Sequence, residues 1–190
     1  MLLMACVLVL QGGWDEPVRR WVVGWQGFGP ARVWAQAAYW AGLGGMQATP
    51  LVLLGFWAWR RGRKGTLRWC TAGVGSVAAS GLLVQVPKLL VGRPRPRLAM
   101  EPWAYFGPTL QSDLHSFPSG HAVTSFALAA GLSAFFPRAA WGFYLTAALI
   151  GLGRVVGGSH HLSDVLAGAL LGLAVGWPLG MLVHDREVRG

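Results

Sequence analysis

The stretch Asp164-Val-Leu-Ala-Gly-Ala-Leu-Leu-Gly-Leu-Ala-Val-Gly-Trp-Pro-Leu-Gly-Met-Leu-Val183 carries no charge after its first residue. Its length matches the roughly 20 apolar residues a helix needs to cross a hydrocarbon core about 30 Å thick. Asp164 and His184 bound it, so it reads as a transmembrane helix. Working outward, further spans are expected at Leu43 to Trp59, Leu67 to Lys88, His121 to Phe136 and Trp141 to Val156, each set off by charge, Pro or Gly. Met1 to Leu10 is half a span, with neither the basic n-region nor the small-residue cleavage site of a signal peptide. It is read as a short first helix or as a start falling inside one. Trp14 to Trp40 interleaves five Trp with Arg19, Arg20 and Arg32, the composition of a segment lying in the interface and covering a site.

Composition agrees. A chain of 190 residues that is 54% hydrophobic and 12% charged fits poorly with a soluble domain. With 11 Trp and 28 Gly against only 7 acidic residues, it is neither a disordered chain nor a coiled coil nor a disulfide-stapled scaffold. Cys6 and Cys70 sit in or beside apolar runs and are read as helix surface, not as a bridge. The net charge of +9 flanks apolar runs and forms no basic face on a soluble domain. That distribution points to membrane surface and anionic substrates, and away from nucleic acid. The expected fold class is therefore all-α, a polytopic membrane helix bundle of five to six transmembrane helices with an interfacial N-terminal segment. One domain is expected over residues 1–190: a short helix and interfacial segment at 1–42, a core bundle at 43–183 and a cytoplasmic tail at 184–190.

The short basic loop Arg60-Arg61-Gly62-Arg63-Lys64 with Arg68 should remain cytoplasmic. Alternation then puts Gly92 to Gly120 and Gly157 to Ser163 outside, the latter facing a periplasm or cell exterior across an inner membrane. Lys and Arg divide evenly, eight on each side, but five of the outer eight (Lys88, Arg93, Arg95, Arg97 and Arg154) fall in stretches with a chemical use for them.

Three such stretches converge on the outer face. Lys88-Leu-Leu-Val-Gly-Arg93-Pro-Arg95-Pro96 ends a span with a lysine and continues as an extended Arg-Pro run, which presents guanidinium forks suited to tetrahedral oxyanions. Interfacial anchoring by snorkelling cations is the plain alternative. In Ser116-Phe-Pro-Ser119-Gly120-His121, Gly120 permits close backbone approach, Ser119 offers a hydroxyl, and the first free N–H groups of the next helix point at an anion beside His121. A simple Ser cap is the alternative there. In Arg154-Val-Val-Gly-Gly-Ser-His160-His161-Leu-Ser-Asp164, i to i+4 spacing sets Asp164 beside His160, where it would accept Nδ1–H and leave Nε2 nucleophilic. Helix capping by Ser163 or Asp164 is compatible with that role. His161 should face elsewhere, and His115 and His184 are assigned to loop and tail.

In this order and with these gaps, Lys-x6-Arg-Pro, Pro-Ser-Gly-His and Arg-x5-His-x3-Asp closely resemble the type 2 phosphatidic acid phosphatase superfamily, over at least Leu67 to Val183. The resemblance implies that Lys88, Arg95 and Arg154 hold phosphate, with Ser119 and Gly120 completing the cradle. It implies that His160 attacks phosphorus to give a phosphohistidine, that Asp164 orients it, and that His121 protonates the leaving oxygen and then activates water. Arg93 lies outside the strict motif. Two departures stand out: Gly153 replaces the usual Ser before the third-block Arg, and His161-Leu162 replaces the usual Tyr-Pro.

The expected activity is a metal-independent lipid phosphatase without cofactors, since no carboxylate cluster lies near the blocks. Its partner is a phosphorylated membrane lipid, with undecaprenyl diphosphate and phosphatidylglycerol phosphate ranked ahead of phosphatidic acid and lipid A phosphate. Phosphotransfer through the same intermediate and a non-catalytic anionic-lipid-binding or transport protein are the competing readings. The same motifs resemble the vanadium haloperoxidases, which are soluble proteins.

Overall fold

The computed structural model describes residues 13–102 and 104–188. Among these the chain forms eight α-helices and no strand: α1 Asp15–Val23, α2 Gly29–Gly42, α3 Gly44–Arg60, α4 Lys64–Leu83, α5 Gln85–Val91, α6 Gly120–Ser133, α7 Ala140–Val156 and α8 Leu162–Val188. Lys64–Leu98, Pro137–Val156 and Leu162–Asp185 are long and apolar enough to cross a membrane. The other two expected spans are helical, but α3 has 17 residues and α6 only 14. The fold is a membrane helix bundle. Met1 to Leu10, with Cys6, falls outside the described residues; Cys70 is a free, buried thiol.

Its polarity is inverted relative to a soluble domain. Ala122, Ala127, Ala130, Ser76 and Ser80 are buried, whereas Trp21, Leu53, Trp59, Leu82, Trp141 and Leu182 face outward. In lipid, helices gain by close approach of small residues, because large apolar groups are equally well solvated by acyl chains. The α6–α8 pair shows this most clearly. Gly168, Gly172, Gly176 and Gly180 recur every fourth residue, and a Cβ at each would stand 2.7, 2.4, 2.1 and 2.7 Å from the carbonyl oxygens of Ser119, Val123, Ala127 and Gly131. One face of α8 is thus stripped of side chains so that α6 can lie against its backbone.

Two boundaries differ from expectation. The span Leu67 to Lys88 breaks at Val84, between α4 and α5, because the ring of Pro87 conflicts with the carbonyl four residues earlier. The last helix continues to Val188, so His184 is not in a tail; its ring meets Phe135 edge-on at 5.4 Å. Near the N-terminus, Trp14 to Trp40 folds as two helices. Val18 and Val22 of α1 join a cluster with Ala122, Val155 and Val165, and α2 packs along α7.

Candidate active site

The end of α5, the starts of α6 and α8 and the end of α7 meet at one end of the bundle, opposite the Arg61–Arg63 turn across α4. Gly92 closes α5 in the left-handed region with φ 62°, conformational space that glycine enters freely. The chain then runs out as the Arg-Pro segment and is stitched to the loop before α6: Arg95 N–H donates to the Asp113 carbonyl at 3.0 Å and Ser116 N–H to that of Arg93 at 3.0 Å. Lys88 turns inward and donates to the His115 carbonyl at 2.9 Å. Arg95 Nε donates to the Ser112 carbonyl at 3.2 Å, and Arg97 pairs with Asp113.

Ser119 caps α6, its Oγ accepting from Ala122 N–H at 3.5 Å, and its own N–H donates to the Asp164 carbonyl at 3.0 Å. The capping role is therefore the one its hydroxyl fills here. Beside it, a Cβ on Gly120 would stand 3.5 Å from Lys88 Cε, so the glycine lies open to the lysine. His121 Nε2 lies 3.2 Å from the Tyr39 carbonyl. A carbonyl can only accept, so Nε2 carries the hydrogen and Nδ1 the lone pair.

The same logic fixes His160. Its Nδ1 lies 2.8 Å from the Ser116 carbonyl, which sets hydrogen on Nδ1 and leaves Nε2 unprotonated. The expected direct bond to Asp164 is replaced, because His160 precedes the helix that starts at Leu162 and its Nδ1 is 3.7 Å from Asp164 Oδ2. Asp164 is committed elsewhere: Oδ1 accepts from Arg93 Nη1 at 2.5 Å, and Oδ2 from Ser116 Oγ at 2.6 Å and His161 N–H at 2.8 Å. The carboxylate thus reaches the imidazole through Ser116. Burial pushes the His160 imidazole down to about 4, Asp164 opposing and Lys88 and Arg95 adding to the shift.

Arg154, on the last turn of α7, donates from Nη2 to Ser159 Oγ at 2.9 Å and lies 5.1 Å from the centre of the Tyr39 ring. Its buried Nε has no protein acceptor. Interaction partners complete the picture: His121 feels Arg154, His160 and Lys88, and Arg154 feels Arg95. Lys88, Arg95, Gly120, His121, Arg154, His160 and Asp164 therefore share one neighbourhood. His161, expected to face away, is buried against the same network. Arg93 is wholly buried between Asp15 and Asp164. Asp15, Tyr39, Ser116 and Ser163 complete the surroundings without having been assigned from sequence. Ser116 and Ser163 lie within the quoted blocks; Asp15 and Tyr39 come from the aromatic segment, where no spacing marked them. Among the described residues, no group of three or more His, Cys, Asp or Glu is arranged to hold a metal ion.

The departure at Gly153 has a packing cause. A Cβ there would stand 2.3 Å from Ala38 Cβ and 3.3 Å from Trp34 Nε1, the group that donates to the Leu149 carbonyl at 3.2 Å. A serine at 153 is incompatible with α2 seated as it is.

The chain belongs to the PAP2 superfamily, whose family model matches residues 69–187 and so includes all three blocks. A lipid A 1-phosphatase of Rhizobium johnstonii is 39% identical over 101 residues, 51% of this chain and 41% of that protein. A second lipid A 1-phosphatase, from Rhizobium etli, is 38% identical over 105 residues, 54% of this chain and 44% of that protein. The chain thus spans less than half the length of these relatives. The crystal structure of a transmembrane PAP2 type phosphatidylglycerolphosphate phosphatase from Bacillus subtilis superposes with a TM-score of 0.60 over 98% of this chain and 94% of that one, at 21% identity. The two share a fold.

Proposed function

We propose that the protein is a metal-independent membrane phosphatase that removes phosphate from a lipid monoester or diphosphate through a phosphohistidine. The observation that carries this is the 2.8 Å contact of His160 Nδ1 with the Ser116 carbonyl, which sets the hydrogen on Nδ1 and leaves Nε2 unprotonated in a ring within the field of Lys88 and Arg95. Lys88, Arg95 and Arg154, with the Ser119 hydroxyl and the Gly120 backbone, hold the phosphoryl oxygens. Fixed cations suit the charge that spreads over those oxygens in the transition state. Nε2 of His160 attacks phosphorus as the bond to the lipid oxygen breaks, and His121, having taken the proton of the bound phosphate monoanion on its free Nδ1, delivers it to that oxygen. Water then attacks phosphorus, His121 takes its proton, and the P–N bond breaks to release phosphate. Asp164 supports the imidazole while it is positively charged.

The Arg61–Arg63 turn lies at the other end of α4 from these residues, and a basic turn kept cytoplasmic supports the reading of an inner-membrane protein with its site on the periplasmic or outer side. The relatives' names move lipid A 1-phosphate to the head of the substrate panel, ahead of phosphatidylglycerol phosphate, undecaprenyl diphosphate and phosphatidic acid. The test is phosphate release from those four lipids by purified protein in detergent with EDTA present. Activity that survives EDTA and disappears in His160→Ala is the expected result; turnover retained by that variant would remove His160 as the nucleophile.

A further inference from the structure

Asp15 opens α1, far outside the matched family region, yet it is 1% exposed. Its Oδ1 accepts from Ser163 N–H at 2.9 Å, and its Oδ2 from Ser163 Oγ at 2.5 Å and from Arg93 Nη2 at 2.8 Å. Arg93, 0% exposed, continues through Nη1 to Asp164 and through Nε to the Pro102 carbonyl at 2.9 Å. The order of charges is therefore Asp15, Arg93, Asp164, and beyond them the His160 imidazole. Burial makes each charge count, since little water screens them.

An Arg93–Asp164 pair alone sums to zero and has little left for a third group. Adding Asp15 brings the sum to one net negative charge, with Asp164 the member nearest His160. That imidazole becomes a cation when Nε2 bonds to phosphorus while Nδ1 keeps its hydrogen. We infer that Asp15 is a positioning residue whose charge occupies Arg93, leaving Asp164 able to stabilise the cationic His160 of the covalent intermediate. This rests on the reading of His160 as the residue that bonds phosphorus. Asp15 acts through Arg93 and Asp164 and touches no reacting atom.

Inorganic vanadate and inorganic phosphate separate this role from a purely structural one. Vanadate expands to five-coordination and takes the imidazole nitrogen as a ligand, whereas phosphate stays tetrahedral and is held by the cations alone. Calorimetric titration of the full chain in detergent should show that Asp15→Asn, which keeps an acceptor oxygen for Ser163, weakens vanadate at least 10-fold. Phosphate affinity should hold or rise, because a negative charge near an anion site has been removed. The double variant Asp15→Asn/Arg93→Gln restores one net negative charge and should regain most of the vanadate affinity. Equal weakening of both anions, unchanged vanadate affinity, or a double variant no better than the single would each overturn the inference. Should Asp15→Asn fail to fold, the double variant against wild type decides: vanadate affinity within a few-fold supports it, and a 10-fold loss overturns it. The underlying reading fails separately, by a His160→Ala variant that binds vanadate as the wild type does.

Discussion

Main-chain carbonyls hold both imidazoles of the site, Ser116 at His160 and Tyr39 at His121, so each neutral ring has a defined unprotonated nitrogen. For His160 this has a pH consequence. Its folded value near 4 lies below the free value of 6.5, so the ring stays neutral through the mildly acidic range. The acid limb of kcat/KM due to this group should centre near 4, which a pH–rate profile of lipid hydrolysis will show; a limb at 6.5 would contradict the buried environment. Stability carries the matching sign. The unfolded chain takes up a proton below 6.5 that the folded ring refuses, so thermal unfolding should come at lower temperature as pH falls from 6.5 to 4. Arg154→Ala removes a cation with an unused buried N–H, and kcat/KM should fall about 100-fold or more, as for loss of one preorganised donor to a transition-state oxyanion. At this scale the sequence named the histidines and cations through their blocks. It misdirected the His160 hydrogen bond, because i to i+4 spacing presumes a helix and His160 lies before one.

Helix contacts here are set by what is missing from side chains. Gly172 lies in the middle of the α8 seam, its place for a Cβ 2.4 Å from the Val123 carbonyl. Gly172→Leu should force α6 away from α8 and lower stability by about 3 kcal/mol or more, the upper range for overpacking. Unfolding in detergent would measure it, and activity should fall with it because Ser119 and Asp164 are joined across that seam. Gly153→Ser tests the α2–α7 contact: a loss of about 1–3 kcal/mol is expected as Ala38 and Trp34 are displaced. The recurrence of glycine every fourth residue was legible in the span quoted first, and reading that span for hydropathy alone passes over it. The α2 contact was not legible, since nothing in Trp14 to Trp40 says which neighbour it meets.

Viewed whole, the molecule puts its candidate chemistry at one end of α4 and its Arg61–Arg63 turn at the other, separated by a 20-residue helix, about 30 Å of rise. Topology is testable without reference to turnover. In a Cys6→Ser, Cys70→Ser background, Leu110→Cys, whose native side chain is 87% exposed, should react with an impermeant thiol reagent in cells whose outer barrier is opened; Arg61→Cys should react only after the inner membrane is breached. Apolar run lengths foretold the membrane bundle. Among the described residues three helices are long and apolar enough to cross, while α3 and α6, at 17 and 14 residues, are helical but shorter. The link from Asp15 to Ser163 also joins residues 148 positions apart. Translation makes Asp15 well before Ser163, so a nascent chain has no means of completing this network until α8 has emerged. Chains made only as far as α7, though they already contain Lys88, Arg95 and His121, lack the scaffold that sets His160, and the bilayer meets the finished arrangement only after α8 has joined the bundle.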